Sequence, residues 1–254
     1  MIRKLFAAAA FVALGTGSVL AADMAPHYAK APMVEPVWTW TGFYLGGNVG
    51  AGVGKNDWGD LSTVFGAPVV SPGVPGGNGT TMGALGGIQA GYNYQAGWVV
   101  VGVQGDLDWT GITGHISGKP GNFDGDQKIS TSWLSTITGR VGGVVGQNTL
   151  VYVKGGGAWT RFKYNINVFD GLTLLGTYPT VSDGRFGWTF GFGTEYHFDQ
   201  HWSGFVEADY MDFGTKTISF PQGAGLSPLA VIPFTSSINQ RLLLVKAGLN
   251  YKLY

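Results

Sequence analysis

The sequence predicts an all-β protein, an eight-stranded antiparallel up-and-down transmembrane β-barrel. Three observations carry that expectation. Stretches of about a dozen residues alternate apolar with small or polar side chains, the period of a strand with two unlike faces. The turn-rich segments between them are alternately short and long. The composition is 44% hydrophobic, 14% aromatic and 12% charged, whereas soluble domains carry about a quarter charged residues. The 44 glycines argue further against helices.

At the N-terminus, Arg3 and Lys4 precede an apolar run from Leu5 to Leu14, the charged and hydrophobic regions of a secretory signal. Val19-Leu20-Ala21 supplies the small residues for cleavage after Ala21 or Ala22. Gly15-Thr16-Gly17-Ser18 breaks the run before it reaches the roughly 20 apolar residues of a spanning helix. Residues 1–21 therefore read as a signal peptide. Residues 22–37, with prolines at 26, 32 and 36, read as an extended periplasmic leader. The barrel domain is expected over 38–254.

Eight stretches carry the strand pattern: 41–53, 83–94, 98–112, 129–145, 149–163, 185–198, 202–213 and 238–254. Gln95-Ala96-Gly97, Gly146-Gln147-Asn148 and Asp199-Gln200-His201 connect consecutive stretches as tight hairpins. The connections at 54–82, 113–128, 164–184 and 214–237 are long and rich in Gly, Pro, Ser and Asp. Outer-membrane barrels alternate in this way, with short periplasmic turns and long extracellular loops. Two further short strands within the loops would make ten, an alternative the pattern leaves open.

The alternation assigns the faces. Trp188, Phe190, Phe192, Tyr196 and Phe198 oppose Thr189, Gly191, Gly193, Glu195 and His197. Leu243, Val245, Ala247, Leu249, Tyr251 and Leu253 likewise oppose Lys246, Gly248, Asn250 and Lys252. Hydrocarbon offers a charged side chain no partner, so the apolar set is expected on lipid and the polar set in the lumen. Trp40, Phe43, Tyr94, Trp98, Phe198, Trp202 and Tyr251 gather at the turn ends, where an aromatic girdle belongs.

Five segments carry a resemblance. They are Trp40-Thr41-Gly42-Phe43-Tyr44-Leu45-Gly46, Gly87-Ile88-Gln89-Ala90-Gly91-Tyr92-Asn93-Tyr94-Gln95, Thr138-Gly139-Arg140-Val141-Gly142, Gly187-Trp188-Thr189-Phe190-Gly191-Phe192-Gly193-Thr194-Glu195-Tyr196 and Tyr210-Met211-Asp212-Phe213-Gly214. From about Trp40 to its end the chain resembles the outer-membrane immunogenic proteins of the porin-like, OmpA-type barrel superfamily. The resemblance implies an abundant, surface-exposed barrel of the Gram-negative outer membrane. Its members are described as structural, weakly porin-like, adhesive or haem-binding. The last strand also resembles the signal read by the barrel-assembly machinery, with Lys246, Gly248, Tyr251 and Leu253 at its polar, glycine and hydrophobic positions. It departs from that pattern in ending on Leu253 and Tyr254 instead of Phe. Unlike OmpA, the chain is expected to carry no further domain after the barrel with which to grip peptidoglycan.

The candidate site is a lumen charge cluster: Asp106, Asp108, Glu195, Glu207 and Asp209 facing Arg140, Lys154 and Lys246. An eight-stranded interior is just wide enough for side chains, and unpaired buried charge is costly. A plug of ion pairs is therefore the favoured reading, and an ion-selective constriction is the alternative. Asp106 with Asp108, and Glu207 with Asp209, are paired carboxylates of the kind acid–base catalysis uses. A narrow lumen offers them no cleft, so no catalytic residue is assigned. His27, His115, His197 and His201 show no metal-ligand spacing, and no cofactor is expected. The chain has no cysteine and no net charge, which excludes thiol chemistry and disfavours nucleic acid. The expected function is structural and surface-exposed, contributing to envelope integrity and surface interactions. A narrow passive channel for ions or very small solutes is the alternative. The expected partners are outer-membrane lipid, the assembly machinery during insertion, and an extracellular ligand or host surface met by the loops.

Overall fold

The computed structural model describes residues 38–63, 78–118, 124–170, 172–226 and 233–253. The expected signal and the leader lie outside the described residues. The strands are β1 (Gly42–Thr63), β2 (Asn78–Ala96), β3 (Val99–Gly118), β4 (Asp124–Val145), β5 (Thr149–Asp170), β6 (Thr173–Thr177), β7 (Val181–His197), β8 (Trp202–Phe220), β9 (Ala224–Gly225) and β10 (Phe234–Lys252). The ring runs β1–β2–β3–β4–β5–β7–β8–β10 and closes from β10 back to β1, each neighbour antiparallel. Eight strands thus form the barrel, while β6 and β9 are short pieces above it.

The turn ends fall where the sequence puts them. Gly97 and Gly146 take φ of 62° and 68°, the left-handed backbone that tight hairpins require. In the third turn, Asp199 Oδ1 accepts the amides of His201 and Trp202 at 2.8 and 2.9 Å.

At the loop ends the strands outrun expectation. β1 continues to Thr63 instead of ending near 53, β5 reaches Asp170 instead of 163, and β8 reaches Phe220 instead of 213. The reason is an inversion of pattern part-way up the wall. On β5 the outward residues change from Val151, Val153 and Trp159 to Arg161, Lys163 and Asn165. Its inward residues change from Lys154 to Phe162, Tyr164, Ile166 and Val168, all buried. A search for apolar-outward alternation stops at that level. Below it the barrel is built for lipid, and above it for water, with an apolar core inside. Wall irregularities mark the boundary, between Trp109 and Ile112 on β3 and between Thr131 and Leu134 on β4, as bulges commonly do at barrel rims.

Aromatics edge the boundary. Trp109 lies opposite Trp133, Trp159 and Phe186 are 5.0 Å apart, and Trp188 and Tyr210 are 5.5 Å apart. From Trp188 to Phe198, just past the end of β7, the extended chain covers about 33 Å at ~3.3 Å per residue. With a tilt near 40° that becomes about 25 Å, the height of an outer-membrane apolar band.

The wall also carries a slot. The β7–β8 ladder ends at Trp188↔Asp212, and pairing resumes only above, as Thr177↔Ala224 between β6 and β9. Between these points the two edges are joined by side chains. Lys216 Nζ donates to Asp183 Oδ1 at 2.5 Å, Asp183 Oδ2 accepts from Arg185 Nε at 2.8 Å, and Arg185 Nη1 donates to the Gly214 carbonyl at 3.3 Å. Gly214, at φ 64°, turns β8 away from β7. In hydrogen exchange of the folded protein, slot-facing amides of 181–187 should exchange well before those of 188–197. Equal protection across the two segments would contradict an open seam.

Candidate functional site

The period of two places β3, β4, β5, β7, β8 and β10 side chains of one parity in the lumen, and the ring brings their charges together. Lys246 Nζ stands 3.2 Å from Asp106, 3.3 Å from Asp209, 3.4 Å from Glu207 and 3.7 Å from Asp108. Lys154 pairs with Glu207 and, at 3.3 Å, with Asp209. All six of these side chains are essentially inaccessible to solvent.

One layer nearer the turns, Arg140 Nη1 donates to Glu195 Oε2 at 3.2 Å and Arg140 Nε to Asn93 Oδ1 at 2.8 Å. The guanidinium lies between two rings, 4.7 Å from the centroid of Tyr44 and 5.0 Å from that of Tyr152, cation–π contacts that are strongest when desolvated. Ser203 Oγ and Asn250 Nδ2 donate to the other oxygen of Glu195 at 2.6 and 2.7 Å. Tyr152 Oη donates to Glu207 Oε2 at 2.9 Å. Thr136 Oγ1 donates to Asp106 Oδ2 at 2.8 Å.

All eight residues of the predicted cluster therefore share one continuous network. Each cation reaches a strand that is not its neighbour: Lys246 on β10 to β3, Lys154 on β5 to β8, and Arg140 on β4 to β7. Of the neutral partners, Asn250 was placed in the lumen set from sequence, while Tyr44, Gln104, Tyr152 and Ser203 were not singled out. Their shared parity with the charges was the available signal. Two inward glycines make the room. A Cβ at Gly87 would collide with Asp108 Oδ1, and one at Gly191 with Asp209 Oδ1.

Of the girdle residues, Phe43, Tyr94, Trp98, Phe198, Trp202 and Tyr251 are exposed on the outer face. Trp40 is a correction: it is 4% exposed and turned inward. There it meets Trp38 at 5.8 Å, while Trp38 stacks on His197 at 4.3 Å. Trp40 precedes β1, so strand parity does not govern it, and burial of its ring beneath the plug decides its direction. Of the residues matched to the assembly signal, Lys246 points into the lumen, Tyr251 and Leu253 are exposed outside, and Gly248 packs against the Gly47 carbonyl and the Phe205 ring.

Above the charges the lumen is mainly apolar, with Arg185, Gln127 and Gln240 as buried polar exceptions. Leu85, Ile112, Leu134, Met211, Leu242 and Leu244 lie buried over the plug, followed by Trp58, Phe162, Phe213 and Ile238. Phe220 stacks on Phe234 at 4.6 Å. Below the charges, the turn-end mouth holds a cavity of about 10 Å³ lined by Trp38, Trp40, Tyr44 and Glu195, room for about one water.

Removing one cation leaves buried carboxylates uncompensated, which costs about 3–5 kcal/mol. Lys246→Met should lower the unfolding free energy by about that amount, measured by urea titration of the lipid-inserted barrel. Adding Asp209→Asn should recover part of the loss. An unchanged urea midpoint in Lys246→Met would show that the network does not stabilise the barrel.

The model of the outer membrane protein beta-barrel domain family matches residues 9–228. The 31 kDa outer-membrane immunogenic protein of Brucella melitensis is 31% identical, over 96% of this chain and 97% of its own length. The 22 kDa outer membrane protein of Rhizobium leguminosarum is 27% identical, over 77% of this chain and 75% of its own. Among solved structures, the outer membrane protease OmpT of Escherichia coli superposes with a TM-score of 0.51 at 9% identity, over 85% of this chain and 98% of that one, a likeness of fold alone.

Proposed function

Since this chain belongs to the outer membrane protein β-barrel family, we propose that it serves the outer membrane as a closed, plugged barrel. Its work is structural and at its surface: it contributes to envelope integrity and presents its loops outside, with the short turns in the periplasm. One observation carries this reading. Among the described residues, buried side chains occupy the lumen level after level, first the charge network and then a mainly apolar core. Ions crossing it would have to dehydrate past Leu134, Met211 and Leu244, all without solvent exposure. The name of the Brucella relative, an immunogenic outer-membrane protein, fits display at the cell surface.

A narrow channel is the second reading. The imbalance of the network favours it, since five carboxylates face three cations and charged linings select ions. Against it stands the apolar upper half. Catalysis receives no support from the acid pairs, which face lysines and not a substrate cleft. Export would proceed through a cleaved signal, with the barrel-assembly machinery inserting the strands.

Two measurements test the proposal. Refolded protein in a planar bilayer should be electrically silent, while migrating as a heat-modifiable band on gels. Steady openings whose size or selectivity changes in Arg140→Ala would overturn the plug in favour of the channel. For orientation, the absence of native cysteine gives a clean background. A membrane-impermeant maleimide should label Leu172→Cys, fully exposed at the loop end, on intact cells. It should leave Gln147→Cys, in a short turn, unlabelled until the membrane is broken. The reverse pattern would invert the proposed topology.

A further inference from the structure

Above the aromatic boundary, the outward face of β4 and β5 carries three basic side chains, Lys128, Arg161 and Lys163, all exposed. Lys128 lies opposite Asn165 and Ser130 opposite Lys163, so Lys128 and Lys163 are diagonal neighbours about 7 Å apart. Arg161 is on the same face as Lys163, two residues along β5 and about 7 Å away. Among the described residues, none of the three meets a carboxylate. The nearby Asp126 is engaged by His115 at 3.0 Å. Two basic residues elsewhere on the wall are paired, Arg241 with Asp57 at 2.9 Å and Lys216 with Asp183 at 2.5 Å, while Lys55 on β1 stands singly and not in a cluster.

Directly beneath the three cations lies an apolar ledge. Trp159 precedes Arg161 by two residues on the same face and packs on Phe186 at 5.0 Å. The half-buried Trp133 sits beside it on β4. Arg161 is therefore about 7 Å and Lys163 about 13 Å along the strand above the row that marks the top of the lipid-facing band. At the tilt near 40° used above, these are heights of about 5 and 10 Å over that row, a level that long basic side chains share with the headgroup layer of roughly 5–8 Å on each side of the hydrocarbon. Ser130 and Ser182, opposite Lys163 on either side, add hydroxyl donors between the charges.

We propose that the β4–β5 face is a binding site for a phosphorylated lipid. Its phosphate is held by Lys128, Arg161 and Lys163, and its acyl chains lie against Trp159, Phe186 and Trp133. Three mutually repelling cations with no carboxylate partner among the described residues find in one phosphate group both a counter-charge and a set of acceptors, and guanidinium adds a bidentate fork that suits phosphate. The membrane ledge selects an anion that is anchored in lipid over one that is free in solution. The proposal deepens the surface role given above and holds whether or not the lumen conducts.

The probe is phosphatidic acid in phosphatidylcholine nanodiscs, with retained lipid counted by native mass spectrometry. The wild type should keep phosphatidic acid in preference to phosphatidylcholine. The triple variant Lys128→Gln, Arg161→Gln, Lys163→Gln should lose affinity about a hundredfold, since each basic residue near an anionic surface contributes about a factor of five. Lys55→Gln, an exposed cation on β1, should bind as the wild type does. Heat-modifiable migration of each variant reports folding independently, and conductance reports the plug reading independently. Retention of phosphatidic acid by a folded triple variant would overturn the site. Equal displacement by inorganic phosphate would reduce it to a free-anion site, and heparin capture without any lipid preference would reassign it to a soluble polyanion.

Discussion

Closure of β10 onto β1 is the constraint on which the rest of the molecule depends. In hydrocarbon a backbone N–H or C=O finds no water, so a sheet can cross only if its two edges meet. Here they meet along a ladder from Tyr44↔Lys252 to Thr63↔Phe234. Closing on eight strands leaves an interior only as wide as its side chains. The lumen must therefore be packed as a core is packed, whatever its chemistry. Inward glycines such as Gly87 and Gly191 follow from that crowding, because a side chain there would displace the carboxylates of Asp108 and Asp209.

Two solutions fill this interior, one above the other. Within the lipid band the inward face is polar, and its charges satisfy one another across the lumen. A buried ion pair is weak evidence of net stability, but it strongly penalises misregistration. A slip of one residue on β10 would turn Lys246 toward lipid and Leu243 or Val245 toward four carboxylates. Above the band the outer face meets water, and the ordinary division returns, apolar within and polar without. The same strands thus obey opposite patterns in their two halves, with Trp109, Trp133, Trp159 and Trp188 at the change.

The features with the most to do outside the barrel lie at or above that change. The slot between β7 and β8 is held by the Lys216–Asp183–Arg185 chain and not by backbone pairing, and such edges are the low-stability parts of a sheet. The basic face of β4 and β5 lies on the same water-facing tier, separated from the plug by the apolar upper core. Surface interactions can therefore be tuned there without disturbing the charges that hold the lumen.

Sequence alone determined the class, the eight main strand stretches, the turns and the lumen-facing charges, because each rests on local periodicity; that eight strands and not ten close the ring was left to the tertiary structure. A period of two reports which residues share a face, and Gly97, Gly146 and Asp199 report where the chain must reverse. Tertiary structure decided what periodicity cannot carry. It set how far β1, β5 and β8 continue once the outward face turns polar, since an apolar-inward strand looks locally like the opposite assignment. It turned Trp40 inward, because that residue lies ahead of the first strand. It also paired Lys246 with Asp106 and Arg140 with Glu195, contacts between side chains far apart in sequence. Partner choice across a lumen depends on shear and closure, which are properties of the whole ring and are written in no single strand.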